Sequence, residues 1–461
     1  MDLSHLRTIR IAACDLNGQM RGKRMPVGLA DKLADGAARM PISTLNVDLW
    51  GRDVEDNPLV FETGDADGVM LPTERGAVPM PWLANPSALV PMAMYWEDGR
   101  PFMGDPRHVL SDVLTRYQQR GWRVVAATEM EFSLLDDSGA QPAPPIDPLT
   151  GRELDQQSVL SVAELDAFDA FFTDLYEGSE AMGIPAQSAI SEAGLGQFEI
   201  NLNHQDAMRA ADDAWLFKAL VKGLARKHGF AATFMAKPYA EEAGNGMHVH
   251  FSVEDEDGNN IFNDGTERGS DLLMNAVAGC LTAMPASTLI LAPHGNSYDR
   301  LVPGAHAPVS AAWAYENRTA AIRIPGGSPK ARRIEHRVAG GDINPYLMLS
   351  VVLGAALAGI EDAATPPAPS EGNIYEIDGL PQLAPDWNAA IDLFDSDPLI
   401  ARILPDRVIR NLVMMKRQEL AGFAERPAES HWLSWLEAVW HQPVKAHNAP
   451  HQALAWVADL G

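Results

Sequence analysis

The sequence predicts an α+β protein in two parts: a small β-rich domain over residues 1–104, and a larger domain over residues 105–461 whose sheet lines a channel and is flanked by helices. Three observations carry this reading. A chain of 461 residues is long enough for a large core and at least one domain boundary. Residues 64–105 are rich in proline, glycine and acidic side chains, and they end where Asp105-Pro106 offers a helix cap followed by proline at the first helical position. Four later segments alternate apolar and polar residues with the period of a strand, and their polar faces carry Glu, His, Asn and Arg but no Lys.

Taken in order, residues 9–13 and 20–25 read as strands about Asn17-Gly18, a dipeptide suited to the positive φ angles of a tight hairpin. From Asp105 onward, Val109, Leu110, Val113, Leu114 and Tyr117 repeat at helical spacing until Gly121. Residues 124–134 then alternate, with Val124, Ala126, Thr128, Met130, Phe132 and Leu134 on one side and Glu129 and Glu131 on the other. QFEINLN sets Phe198, Ile200 and Leu202 against Gln197, Glu199, Asn201 and Asn203, and MHVHFS sets Met247, Val249 and Phe251 against His248, His250 and Ser252. RIEHRV sets Ile334, His336 and Val338 against Arg333, Glu335 and Arg337. Between these strands, residues 213–227 and 272–284 read as amphipathic helices, and residues 363–370 as a loop. The chain from Pro398 reads as helical, with Trp432, Trp435 and Trp440 on a packing face.

Composition narrows the function. Hydrophobic residues make up 46% and charged residues 21%, and the longest apolar run, residues 348–360, is too short to cross a bilayer. The N-terminal residues show no secretory pattern, so a cytoplasmic protein with no membrane partner is expected. Cys14 and Cys280 are the only cysteines, which excludes a disulfide scaffold and a thiolate zinc site and leaves two buried thiols. With 36 Lys and Arg against 62 Asp and Glu, the formal charge of −26 repels a phosphate backbone, so nucleic acid is not an expected partner.

Carboxylates that share a strand face repel unless a cation or a shared proton lies between them, so Glu129 and Glu131 point to a metal. Glu192, Glu199 and Glu335 are further acidic candidates and His248 adds a nitrogen, a donor set that suits Mg²⁺ or Mn²⁺ better than zinc. Residues 296–337 hold Arg300, Arg318, Arg323, Arg332, Arg333 and Arg337, whose guanidinium forks match carboxylate and phosphate geometry. Arg332 lies on the opposite face from Arg333 in the alternation and is read as a surface salt-bridge residue.

The segments EMEF (129–132), EAGLGQFEIN (192–201), KPYAEEAGNGMHVHFS (237–252), NSYDRLVPGAHAP (296–308), ENRTAAIRIP (316–325) and RRIEHRVAGGDINPYL (332–347) resemble, in order, the signatures of the glutamine synthetase family. DLNGQMRGKRMP (15–26) is similar to that family's N-terminal hairpin. The resemblance implies an N-terminal β-grasp domain, a catalytic domain built on an antiparallel sheet, and a homododecamer with active sites between subunits. It implies ATP and glutamate as substrates and Mg²⁺ or Mn²⁺ as cofactor. By position, Glu131, Glu192 and Glu199 would bind one metal ion, and Glu129, His248 and Glu335 the other. His250 and Ser252 would face the nucleotide, and Arg323 and Arg333 would hold its phosphates. Arg300, Arg337 and Gly244 would orient glutamate, and Arg318 would stabilise the transferring phosphoryl group.

The departures from the family lie at the ammonia end. His306 stands where the family usually has Glu, and its imidazole could accept a proton from an incoming alkylammonium. Asp48-Leu49-Trp50-Gly51 stands where the family has Asp-Gly-Ser-Ser, so Asp48 is kept while Trp50 offers an apolar surface. Ala243 replaces a common Asn. These differences resemble the γ-glutamylpolyamine and γ-glutamylamide synthetases, which implies an amine pocket of Asp48, Trp50 and His306 and an enzyme of polyamine catabolism. The rival readings are ordinary glutamine synthetase and a catalytically silent relative. GNIYEID (372–378) resembles a family loop that is modified by adenylylation, which makes Tyr375 a candidate, although an ordinary surface tyrosine is the simpler reading.

Overall fold

The structure, a computed structural model, describes residues 2–61, 63–139, 141–304 and 307–438. Among these residues the strands form one six-stranded and one eight-stranded sheet. The first contains β1 (Thr8–Cys14), β2 (Met20–Pro26), β3 (Ala38–Pro41), β4 (Asp67–Pro72), β5 (Val78–Pro79) and β6 (Ala88–Tyr95). Its order is β2-β1-β6-β4-β3, with β5 also on β6. The sheet is mixed, because β1 runs antiparallel to β2 but parallel to β6. The central strand β6 is apolar and buried along nearly its whole length, as a strand covered on both faces must be.

The connection from β1 to β2 differs from the tight two-residue turn that Asn17-Gly18 predicts. Five residues, 15–19, lie between the strands, and of the dipeptide only Gly18 takes a positive φ, 80°. The reason lies in the Asn17 side chain, which is committed elsewhere. It donates to Glu419 Oε1 at 2.8 Å and accepts from Lys416 Nζ at 2.7 Å. Lys416 and Glu419 are themselves paired at 2.8 Å and fully buried, so the hairpin tip is bolted to the Asp406–Ala424 helix by a closed charge network. Removing one partner from such a network strands a buried charge and costs about 3–5 kcal/mol.

The second sheet contains β7 (Arg123–Leu135), β8 (Ala186–Ser191), β9 (Gln197–Asp206), β10 (Ala231–Thr233), β11 (Met247–Glu254), β12 (Trp313–Tyr315), β13 (Ile322–Ile324) and β14 (Ile334–His336). Its order is β12-β13-β14-β11-β7-β9-β8, with β10 beside β7. Every pairing is antiparallel except that of β12 with β13. The predicted alternation holds on the long strands: Met130, Phe132, Phe198, Ile200, Met247, Val249 and Phe251 are all buried. They belong to one core with the helices Pro106–Gln118, Ala207–Lys227, Asp271–Leu291 and Pro345–Glu361.

The helix starts follow local chemistry. Asp105 accepts from Arg107 N at 2.9 Å and from Met94 N at 2.8 Å, so one carboxylate caps the Pro106–Gln118 helix and ties it to β6. The helix expected over 213–227 begins earlier, at Ala207, because Asp206 caps it through Met208 N at 3.0 Å. The helix expected over 272–284 runs on to Leu291 and is buried on nearly every face, so it is a core helix where an amphipathic one was expected. By length and composition it could span a membrane, but 83% of its apolar window lies inside the protein. Cys14 and Cys280 are both buried free thiols, as expected. Trp432 and Trp435 pack against Leu135, Ala231, Met235 and Leu436, while Trp440 lies outside the described residues.

Candidate active site

The register of the second sheet converts four separate sequence patterns into one surface. Residues paired across neighbouring strands point to the same face. Glu129 on β7 lies opposite His248 on β11 and Asn201 on β9, and Glu131 lies opposite Glu199. One row further, His250 pairs with Glu335 on β14, and Glu335 with Arg323 on β13. Carboxylates, imidazoles and guanidiniums from five strands thus stand side by side, with the apolar residues between them turned into the core.

Two groups of donors converge tightly enough to share an ion: Glu129, Glu199 and His248, and Glu129, His250 and Glu335, with all ligand atoms within 4.8 Å in each group. Glu129 belongs to both. Its two oxygens meet His248 Nδ1 at 3.0 Å and His250 Nε2 at 2.9 Å. Burial opposes its ionisation, but the hydrogen bonds from His248 and His250 outweigh burial and hold its carboxyl well below the usual range. Burial likewise opposes ionisation of Glu335, and the charges of Arg337, His250, His248 and Arg323 bring it below its ordinary value. Arg323 Nη1 donates to Glu335 Oε2 at 2.7 Å, and Arg337 pairs with the other oxygen.

Glu199 and Glu192 behave in the opposite way. Burial first, then the charges of Glu129, Glu131 and Glu192, push the Glu199 carboxyl up to about 9. Burial and then Glu131 push Glu192 up to about 7, with Arg318 opposing. Four carboxylates facing one another with two driven this far up form a site that a divalent cation neutralises, and hard oxygen donors with one or two imidazoles suit Mg²⁺ or Mn²⁺. The buried Nε atoms of Arg323 and Arg337 have no hydrogen-bond partner, leaving donors for an anion beside the carboxylates. The residues present therefore fit a divalent metal and a phosphorylated ligand together.

The raised carboxyls have a consequence for stability. A group that holds its proton more tightly folded than unfolded favours the folded state fully below its unfolded pKa, about 4.3 for Glu, and loses that contribution as pH rises towards the folded value. In chelated protein the melting temperature is expected to fall as pH is raised from about 5 to about 9, the window bounded by that unfolded value and the folded value of Glu199. Mg²⁺ should flatten the slope. Thermal melts across this range with chelator and with Mg²⁺ check it; identical slopes would detach the carboxylates from metal binding.

Glu131 is held by the chain segment next to it. Its Oε2 accepts from Gly246 N at 2.6 Å and from Gln197 Nε2 at 3.3 Å, and Gln197 Nε2 also reaches Gly244 O at 3.0 Å. Gln197 was visible as part of a polar strand face, but nothing in the sequence marked it as the strut between Glu131 and Gly244. A Cβ on Gly244 would lie 2.2 Å from the Ala236 carbonyl oxygen and 3.1 Å from Arg300 Cγ, so only glycine fits there, and one on Gly246 would press on Arg300 Nη2 at 2.5 Å. Arg300 Nη1 donates to Val338 O at 2.9 Å, and its charge is felt by Glu131 and by the half-buried Tyr375, which also faces Arg337.

A cavity of about 650 Å³ opens at this face, lined by Glu129, Asn201, His250, Ser252, Lys330 and Arg333 among others. Arg333 Nε lies 3.2 Å from His250 Nδ1. The cavity is large enough for a nucleotide. A larger cavity, about 820 Å³, lies beside Trp313 and Tyr315 and shares only Arg332 with the first. Its lining is mainly apolar and includes none of the clustered donors, so the chemistry belongs to the smaller one. Arg332 itself is buried, with Nη atoms at 3.5 Å from Pro325 O and 3.3 Å from Thr266 O, and is not the surface salt-bridge residue its position in the alternation suggested.

Asp48 and Trp50 lie apart from this face. Asp48 is buried and accepts from Trp50 N at 3.0 Å, Arg52 N at 2.9 Å, Arg52 Nε at 2.9 Å and Gln418 Nε2 at 2.8 Å. Trp50 packs on Phe423 with ring centres 5.0 Å apart, lies 3.8 Å below the Arg426 guanidinium and donates to Ser434 Oγ at 3.1 Å. Neither shares a contact with the clustered donors. Arg318 is exposed in the β12–β13 connection, and His306 lies outside the described residues.

Comparison with known proteins agrees with the geometry. Residues 103–434 match the family described as glutamine synthetase, catalytic domain. The chain is 38% identical over 434 residues to γ-glutamylputrescine synthetase PuuA of Escherichia coli (strain K12), covering 93% of this chain and 91% of that one. It is 35% identical over 372 residues to a glutamine synthetase of Halobacterium salinarum, covering 78% and 80% of the two chains. Among solved structures, a GmaS/ADP complex superposes with a TM-score of 0.81 at 27% identity, over 92% of this chain and 95% of that one.

Proposed function

The chain belongs to the glutamine synthetase family and is an ATP-dependent glutamate-amine ligase, and from that premise we propose that its amine is a primary alkylamine, putrescine or another polyamine, in place of ammonia. The ligase chemistry rests on one observation, the row of carboxylates, imidazoles and guanidiniums across five strands. The amine reading is supported by the identity to a γ-glutamylputrescine synthetase over more than nine-tenths of both chains, and by the departures at His306 and at residues 48–51. A role in polyamine catabolism follows the same support.

In this proposal ATP occupies the cavity beside His250, Ser252, Arg323 and Arg333, and glutamate lies against Arg300, Arg337 and Gly244. An oxygen of the glutamate γ-carboxylate attacks the γ-phosphorus of ATP, the bond from phosphorus to the ADP oxygen breaks, and γ-glutamyl phosphate forms. The amine nitrogen, having first lost a proton to become neutral, attacks the acyl carbon, the bond to the phosphate oxygen breaks, and the nitrogen gives up a second proton. Glu131, Glu192 and Glu199 would hold one divalent ion and Glu129, His248 and Glu335 a second, which when bound neutralise phosphate charge as it accumulates. His250 sits in a donor cluster as well as in the cavity wall.

Asp48 and Trp50 face the C-terminal helices of their own chain, so the amine-pocket assignment requires a neighbouring copy to bring this segment to the site. We propose the homododecamer with active sites between subunits that the family resemblance implies. We likewise propose residues 1–104 and 105–461 as the two domains.

An alkylamine has a pKa of about 10.4 and arrives protonated, so a base at the amine end is needed, and His306 is assigned that task. Phosphate release with ATP, Mg²⁺, glutamate and a panel of amines tests the reading. At least one diamine or alkylamine is expected to give a higher kcat/KM than ammonia, and His306→Glu is expected to shift the preference towards ammonia. If the wild type prefers ammonia throughout, the protein is an ordinary glutamine synthetase, as its similarity to the Halobacterium enzyme also allows.

A further inference from the structure

Away from the carboxylate face, a cavity of about 440 Å³ lies between the tip of the β1–β2 hairpin and the Ala207–Lys227 helix. Its basic lining is unusual in a chain of net charge −26. Four basic residues of one helix face it: Lys218, Lys222, Arg226 and Lys227. Two of these are already satisfied, since Arg226 pairs with Asp137, and Lys227 with Asp174 at 2.7 Å. The other two stand one helical turn apart, and neither has a carboxylate within ion-pair distance among the described residues. Lys218 Nζ donates to Ile343 O at 2.6 Å and lies 5.5 Å from the Phe234 ring centre. Lys222 Nζ lies 5.8 Å from the same ring. The rest of the lining is apolar and aromatic, with Trp215 on the same helix and Trp82, Met20, Met80 and Leu83 from elsewhere.

Two neighbouring ammonium groups with a ring and a carbonyl for company are an incomplete electrostatic arrangement. Asp342, the acid on the cavity wall, only partly answers it: its Oδ2 is taken by Ser297 Oγ at 2.6 Å, and burial raises its pKa and so disfavours its charge. We propose that the cavity binds a small organic carboxylate, with the oxyanion between the ammonium groups of Lys218 and Lys222 and the apolar body against Trp82 and Trp215. Burial pushes Lys218 down to about 8, and burial together with the charge of Lys218 pushes Lys222 well below its ordinary range. A bound carboxylate restores both charges. Asp342 also faces Arg300, so a ligand here shares a wall residue with the side chain assigned to glutamate. The site would then respond to a metabolite that is neither glutamate nor nucleotide.

Calorimetric titration of the full-length protein with benzoate tests this. Wild type should bind, Lys222→Met should bind at least about tenfold more weakly, and Lys222→Arg should restore affinity to within about threefold, with saturating ATP leaving all three unchanged. Lys222→Met replaces a half-buried amine while keeping chain length, so its melting temperature should not fall, and a folded variant makes the comparison valid. No binding to wild type, equal binding to Lys222→Met, displacement by ATP, or inorganic phosphate binding as tightly as benzoate would each overturn the proposal. The last result would show a pocket that reads bare oxyanions without the apolar body.

Discussion

Glu129→Ala is expected to lower kcat by about a thousandfold or more, the largest loss of any single carboxylate on the sheet face. The reason is its position at the meeting point of both donor groups, with one oxygen at His248 and the other at His250. Losing it removes a negative charge from both groups at once and frees two imidazoles to turn. The fold should survive, because the side chain lines an open face and the core side of β7 is untouched. Secondary structure by circular dichroism should match wild type, while calorimetric Mn²⁺ binding is lost or sharply weakened. Glu361→Ala provides the control: this residue pairs with Arg120 at 2.5 Å and Arg402 at 2.6 Å far along the chain from the donors, and its loss should leave kcat within about twofold. More than a tenth of wild-type activity in Glu129→Ala would mean that this face is not where the reaction occurs.

How much of this was legible in the sequence depends on the range of the physics involved. The alternation in β7, β9 and β11 was readable because the period of two is local, and a buried face punishes any slip of one residue. That same constraint made Glu129, Glu131, Glu199, His248 and Glu335 identifiable as co-facial within their own strands. What no single strand encodes is register. That Glu131 sits opposite Glu199, and Glu129 opposite His248, is fixed by pairings between segments some 70 to 120 residues apart. The Asp271–Leu291 helix runs past its expected end at residue 284: Pro285, a residue that ordinarily stops a helix, lies inside it, and the turns beyond are buried so that no exposed polar face marks the continuation. Arg332 was misread for the converse reason: a residue facing the apolar side was taken to the surface, whereas the chain buries it on nearby carbonyls. The Asn17-Gly18 turn failed because a tertiary partner, the Lys416–Glu419 pair, claimed the side chain that local propensity had assigned to a turn.

Arg318→Ala is expected to lower kcat by about a hundredfold to a thousandfold while KM for ATP changes by no more than about threefold. Arg318 is unlike the other arginines of the site. Arg300 and Arg337 are buried and Arg323 is nearly so, each fixed to a carbonyl or carboxylate, whereas Arg318 is exposed in the connection between β12 and β13. Among the described residues its charge acts visibly on Glu192, a carboxyl pushed up first by burial and held back in part by Arg318. A guanidinium on an exposed loop beside the least ionised carboxylates can approach charge that develops during phosphoryl transfer without being committed to the ground state. Its contribution should therefore appear in the rate at saturation and vanish from equilibrium binding. Calorimetric ADP affinity should be unchanged in Arg318→Ala, and single-turnover formation of ADP should slow by the same factor as kcat. A variant with normal kcat and a raised KM would instead make Arg318 a residue that binds nucleotide, and the role of stabilising the moving phosphoryl group would pass to Arg323, the guanidinium already held beside Glu335 at 2.7 Å.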